Sequence, residues 1–317
     1  ANQNRVMKRT LREAGERRGD TSGGDAVHFR GVAVSPPTLP NSYQPAGTTG
    51  GLALPRRPSP VGEAPSLSRH PQPGRPIRVT AILEARDLSV RYPAFTLGPL
   101  GFSIAGGETV ALLGANAAGK TTLLRAVTGR LLDRLGVVEI AGRDPRSAPD
   151  AWRAKVGFAG EKPPADAALR VREWFAFLRD CYPTWDEAYQ RDLAARLGLD
   201  TAERIGALSR GTAVKAAYIG AEAYRPELLV LDEPTNGLDP VVRLELLGLL
   251  RDCFTAAPDR ALLFSSHLLE DVEALCDRAL LLRGGQLVGE LAGDQLTQAR
   301  ASGQLTALVA DVLRDRP

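Results

Sequence analysis

Eight residues constrain this chain more than any other feature: Gly114-Ala-Asn-Ala-Ala-Gly119-Lys120-Thr121 fits the spacing GxxxxGK[ST]. The run Glu108 to Leu113 (ETVALL) before it is a short apolar strand, and TTLLRAVTGRLL after it is a helical stretch. A strand that feeds a glycine-rich turn into a helix gathers backbone N–H groups and the positive helix end around phosphates. The spacing assigns Lys120 to the β- and γ-phosphates and the Thr121 hydroxyl to a Mg²⁺ ion. Gly114, Ala115, Asn116, Ala117, Ala118, Gly119 and Thr122 complete the expected nucleotide-binding segment. A chance glycine turn would lack a strand on one side and a helix on the other.

The surrounding pattern predicts an α/β domain with a mostly parallel core sheet. Further strands are expected at Val137–Ile140, Leu228–Asp232, Ala261–Ser265, Ala279–Leu282 and Leu287–Leu291, with helical stretches between them. AILEARDLSVRY, residues 81–92, reads as strand, turn, strand. From about 166 to 207 the pattern is helical: Val171, Trp174, Phe175, Leu178 and Tyr182 share one face, as a packing stripe rather than a cofactor box. Thr184 and Glu187 form an expected capping box for a second helix, which carries Tyr189, Leu193 and Leu197 and stops at Gly198.

A second acidic element supports the first. Leu228 to Leu231 is an apolar strand ending in Asp232, Glu233 and Pro234, and strands of open α/β sheets deliver ligand-binding groups at their carboxyl ends. Asp232 is expected to hold Mg²⁺ through water, and Glu233 to orient or deprotonate an attacking water. His267, the one histidine after residue 80, follows the strand ALLFSS, from where its imidazole can reach a γ-phosphate; a lone histidine is otherwise a structural residue.

Composition narrows the class. Residues 1–80 carry 12 Lys+Arg against 5 Asp+Glu with 11 of 23 prolines, a composition that cannot offset its ordering entropy, so a disordered extension is expected there. Its arginines are dispersed rather than clustered, against a basic arm for lipid or nucleic acid. Residues 81–317 carry 28 Lys+Arg against 32 Asp+Glu, which gives no support to a nucleic-acid partner. Three cysteines, Cys181, Cys253 and Cys276, with no CxxC pair, support neither a disulfide framework nor a zinc ribbon and fit a reducing, cytoplasmic compartment. No run reaches the 18 apolar residues of a membrane span, so a membrane role comes through a partner. The segment Arg78-Val-Thr-Ala-Ile suggests a natural start near Val79, and removal of residues 1–78 is expected to keep the fold.

Taken in order, these motifs resemble the ATP-binding subunits of ABC transporters over about residues 82–290. The discriminating one is Leu208-Ser-Arg-Gly-Thr212, which resembles the LSGGQ signature and ends 20 residues before Asp232. LLVLDEPTNGLDP (Leu228–Pro240) follows, with a D-loop at Gly237-Leu238-Asp239, and then Ser-Ser-His267. The run Cys181–Glu187 and the LSRGT form look most like the YtrB-like branch of bacterial exporter ATPases.

The resemblance implies a P-loop ABC ATPase domain over 81–317, with an antiparallel β subdomain and the helical insertion at about 166–207. It implies that Tyr92 stacks on adenine, and that Glu161 stands at the Q-loop position that senses Mg²⁺ and meets the membrane subunit. Ser209, Gly211 and Asp239 would complete the ATP site of a second ATP-binding subunit, identical or a close paralogue. His267 becomes the switch histidine and Glu233 the catalytic base. A separate transmembrane permease, docked on the helical insertion and the Glu161 loop, would hold the protein at the inner membrane face while ATP hydrolysis drives export. The rival reading is a nucleotide-switched regulatory module with little turnover, against which Lys120, Asp232, Glu233 and His267 all stand intact. An ABC protein acting on ribosomes or DNA is weaker, because only one phosphate loop and no sustained heptads are found. Four departures stand out: Ala117 replaces a glycine, Glu161 a glutamine, Arg210 a glycine and Thr212 a glutamine. At a positive φ, Ala117 would cost about 1 kcal/mol.

Overall fold

The computed structural model describes residues 81–313 apart from 132 and 149; the extension expected over 1–80 lies outside them. Two strands open the domain, β1 (Ala81–Tyr92) and β2 (Phe95–Ala105), joined by a turn at Pro93-Ala94. There follow β3 (Thr109–Leu113), α1 (Lys120–Val127), β4 (Leu135–Ile140) and β5 (Val156–Ala159). Three helices come next, α2 (Val171–Cys181), α3 (Glu187–Arg196) and α4 (Arg210–Glu222). The remainder alternates: β6 (Leu228–Leu231), α5 (Pro240–Thr255), β7 (Ala261–Ser266), α6 (Leu269–Leu275), β8 (Arg278–Arg283), β9 (Gln286–Ala292), α7 (Gly293–Ala301) and α8 (Leu305–Leu313).

The strands form a three-stranded antiparallel sheet, β2-β1-β4, and a six-stranded sheet, β5-β6-β7-β3-β8-β9. In the larger sheet every neighbouring pair is parallel except β8–β9. β3, β6 and β7 are buried along their whole length, as the unbroken apolar runs require of strands covered on both faces. Successive side chains enter opposite cores. Ala111, Leu113, Leu229, Leu231 and Phe264 join the core under α4, α5 and the helical insertion, whereas Val110, Leu112, Leu228, Val230 and Leu263 join the core shared with α1 and the antiparallel sheet.

Two local expectations need correction. Residues 81–92 are one strand rather than two: Asp87, at φ +52, is absorbed as a bulge between the Ala85 and Leu88 pairings, and the chain turns only after Tyr92. The helix α3 is capped by Asp186, whose Oδ1 accepts from Tyr189 N at 2.9 Å, because the Thr184 hydroxyl is engaged by Tyr224 O at 3.0 Å. The strand β9 runs antiparallel, since only two glycines separate it from β8. The apolar stripe packs as expected, with Val171, Trp174 and Phe175 buried against α4, where a Cβ on Gly220 would lie 2.4 Å from the Trp174 ring.

Candidate functional site

β6, β7 and β3 are adjacent and parallel, so their carboxyl ends bring Asp232, Ser265–His267 and the loop after Leu113 to one edge of the sheet. That loop is a turn closed by Ala118 N donating to Ala115 O at 3.2 Å, with Ala117 at its third position at φ +63. The left-handed conformation that makes glycine favourable there is therefore adopted by an alanine. Gly119, at φ +106, has no such latitude, because a Cβ would lie 2.8 Å from Phe95 Cζ. At Gly114 it would lie 2.3 Å from Leu282 O, so the backbone passes β8 too closely for any side chain.

Lys120 opens α1 and is only 6% exposed. Its Nζ donates to Gly114 O at 2.7 Å and Ala115 O at 3.1 Å, and lies 2.9 Å from Glu233 Oε1. The other oxygen of Glu233, Oε2, lies 2.8 Å from His267 Nδ1. Lysine, glutamate and histidine thus form one chain across the edge of the sheet. Beneath it Thr121 Oγ1 donates to Asp232 Oδ1 at 3.1 Å, and Ser265 Oγ donates to the same oxygen at 2.8 Å. Ser265 Oγ in turn accepts from Glu233 N at 2.8 Å, which holds Glu233 at φ +50, a conformation rare outside glycine and typical of functional positions.

The remaining expected residues stand elsewhere. Thr122 lies half-buried in α1, and Asn116 is exposed on the loop. Tyr92 is 44% exposed and pairs across the β1–β2 turn with Phe95, whose ring packs against Gly119. Ser209 caps α4, its Oγ accepting from Thr212 N at 3.1 Å, and Asp239 caps α5, its Oδ1 accepting from Val241 N at 2.9 Å. Gly211 faces Leu238 and Val242, so these two helix starts adjoin. The Glu161 carboxylate accepts from Arg210 Nη2 at 3.1 Å rather than joining Thr121 and Asp232.

Sequence reasoning does not single out Phe95, Ser265 or Asp271. Phe95 is the second aromatic of Tyr92-Pro-Ala-Phe95 and had a signal of its own. Ser265 becomes visible only from the parallel register, in which Leu231 pairs with Phe264 and the next residues of the two strands are Asp232 and Ser265. Asp271, fully buried, accepts from Thr235 Oγ1, Ser266 Oγ and Arg243 Nε, and so ties the loop after Glu233 to the loop that carries His267.

A loop bounded by Gly114 and Gly119 at a helix start, with an acid, a hydroxyl and a carboxylate–histidine pair beside it, defines a nucleoside-triphosphate-binding domain of the phosphate-loop class. A family profile described as "ABC transporter" matches residues 97–236. The chain is 30% identical over 218 residues to the ABC transporter ATP-binding protein YtrB of Bacillus subtilis (strain 168), spanning 68% of this chain and 74% of that one. It is 32% identical over 200 residues to the Nod factor export ATP-binding protein I of Rhizobium leguminosarum bv. viciae, spanning 60% and 62%. A solved structure titled "Structure of ATP binding subunit of ABC transporter" superposes with a TM-score of 0.64 at 27% identity, covering 74% of this chain and all of that one. The chain belongs to the ABC transporter ATP-binding family and is an ATPase of that family. Among the described residues no helix is long and apolar enough to cross a membrane.

Proposed function

We propose that this protein hydrolyses Mg²⁺-bound ATP at a site shared between two ATP-binding subunits, and that hydrolysis drives export through a separate membrane subunit. The observation that carries the reading is the Lys120–Glu233–His267 chain set over Thr121–Asp232–Ser265. In it Glu233 is the general base that takes a proton from the attacking water, and His267 Nδ1 holds the carboxylate in position. Lys120 binds the phosphates by leaving the carbonyls of Gly114 and Ala115 and the Glu233 carboxylate, which frees the base as the substrate enters. The backbone N–H groups of the loop Gly114–Thr122 surround the phosphates. Tyr92, exposed beside Phe95, offers its ring to the adenine.

Thr121 and Asp232 would hold the Mg²⁺ ion, which neutralises phosphate charge when bound. The donor set fits: a hydroxyl and a carboxylate oxygen converge, and among the described residues no cluster of three His, Cys, Asp or Glu side chains forms an all-protein cage for a softer metal. Ser209, Gly211 and Asp239 stand at exposed or half-exposed helix starts, accessible to a second subunit. The helical insertion carries a groove of about 470 Å³ lined by Phe175, Trp185, Arg172 and Arg179, with no phosphate-loop residue in its lining, and is the docking face for the permease.

The test is complementation. Lys120→Ala removes the phosphate grip, and Ser209→Arg blocks closure of the partner's signature; each alone abolishes turnover. Mixing the two forms heterodimers in which one site carries both lesions and the other neither, so activity returns in part. A folded Ser209→Arg protein that hydrolyses ATP at the parental rate would overturn the shared-site reading.

A further inference from the structure

The two charged departures noted in the sequence, Glu161 and Arg210, lie 49 residues apart in the chain and meet as an ion pair, Arg210 Nη2 to Glu161 Oε1 at 3.1 Å. Neither stability nor helix formation accounts for it. The side chains are 47% and 57% exposed, and exposed pairs contribute about 0–1 kcal/mol. Arg210 is the first residue of α4, and a cation at a helix start opposes the helix dipole. The surroundings give the pair another role.

Glu161 stands two residues past the end of β5, where Ala159 O accepts from Asp232 N at 2.9 Å, so the loop that carries it adjoins the strand end that delivers Asp232 to the site. The Arg210 guanidinium also lies against the loop after Glu233: a Cβ on Gly237 would be 2.5 Å from Nη1 and 2.9 Å from Cζ. One guanidinium therefore touches the loop after β5, the loop after β6 and the start of α4.

We propose that Arg210 is a positioning residue that neutralises Glu161 at the rim of the nucleotide site and pins both loops to the signature helix, so that the affinity for a nucleoside triphosphate follows the net charge of this pair. The proposal rests on the ATP-site reading above. A triphosphate is polyanionic, so it meets a neutral rim in the parent, a net negative one without the arginine and a net positive one without the glutamate.

The measurement is titration of the full chain with a fluorescent ATP analogue and Mg²⁺ at about 0.01 M and about 1 M ionic strength, where screening lengths are about 30 Å and about 3 Å. At low ionic strength Arg210→Gln weakens binding by about fivefold, Glu161→Gln tightens it by a similar factor, and the double variant lies within about twofold of the parent. At high ionic strength the spread collapses. Binding changed in the same direction by both single variants, or in neither, while Lys120→Ala abolishes it, overturns the proposal and leaves the site reading standing. If Lys120→Ala binds the analogue as the parent does, the site reading itself fails and the proposal falls with it. Thermal unfolding of each variant accompanies the titration, and a loss of affinity that merely tracks a fall in melting temperature, unrelieved in the double variant, also overturns it.

Discussion

Replacing Ala117 by glycine stabilises the domain without changing its affinity for nucleotide. Ala117 sits at φ +63 in the turn closed by Ala118 N and Ala115 O, where an L-residue loses about 1–2 kcal/mol to the clash of its Cβ with the backbone. The side chain is exposed, so removing it sacrifices no packing. Against the relief stands the greater freedom of glycine in the unfolded chain, about 0.4–1 kcal/mol. The balance is a gain of about 0–1.6 kcal/mol, which for a domain of about 200 residues raises the melting temperature by up to about 6 °C. Affinity stays within about twofold, because the strain is present with and without ligand if the turn keeps its shape. Gly119→Ala is the opposing control: φ is +106 and the new Cβ would press on Phe95 Cζ at 2.8 Å and Leu97 Cδ1 at 3.1 Å, so the melting temperature falls. Differential scanning fluorimetry with and without ATP reads both. A lower melting temperature for Ala117→Gly would refute the strain argument.

Three further outcomes follow from other contacts. Ser265→Ala strips Asp232 of a donor and leaves Glu233 N unpaired, which costs about 1–3 kcal/mol in denaturant unfolding and lowers kcat more than it raises KM; a variant with parental kcat would show that Ser265 does not hold the base. Arg260→Met abandons the fully buried Glu222, to which Arg260 donates at 2.8 and 2.6 Å, and destabilises by about 3–5 kcal/mol; a loss below 1 kcal/mol in urea titration would contradict the buried-pair reading. Burial pushes the Cys276 thiol up to about 12, while Cys181 is exposed, so alkylation near pH 8 followed by mass spectrometry finds Cys181 labelled first and Cys276 untouched until the chain unfolds. Equal rates at the two would place Cys276 outside the core.

The parts of the fold legible in the sequence are those in which one period dominates. Apolar runs marked β3, β6 and β7 because strands buried on both faces admit nothing else, and the 3.6-residue stripe marked α2 because one face must be buried. β2 escaped because Phe95–Ala105 contains Gly98, Pro99 and Gly101, residues that ordinarily break a strand. Here Gly98 is needed: at φ +87 it passes so near Leu88 O that a Cβ would lie 2.0 Å from it. β5 escaped because four residues, VGFA, are too few to show alternation. The expected cap of α3 falls two residues early because Thr184 and Asp186 are both capping types, and only Tyr224, 40 residues beyond Thr184, takes the Thr184 hydroxyl away from the helix.

At the site the same division holds, between what a motif carries and what the strand order adds. The glycine loop, its lysine and the acidic strand end were legible because each is a local pattern with its own chemistry. Their mutual contacts were not, because parallel strands close in space are far apart in sequence: Lys120 and Glu233 meet because β3 and β6, one strand apart, end at the same edge of the sheet. That order has a chemical consequence. A lysine and a carboxylate buried together without substrate satisfy each other's charge, whereas either alone would bear the full penalty of desolvation. The pairing therefore gives each group an oppositely charged partner at 6% and 14% side-chain exposure. In the proposed reaction the incoming phosphates replace Glu233 as the lysine's partner, and the carboxylate, still held by His267 and by the Ser265–Glu233 backbone bond, is released as a base only when there is something to hydrolyse.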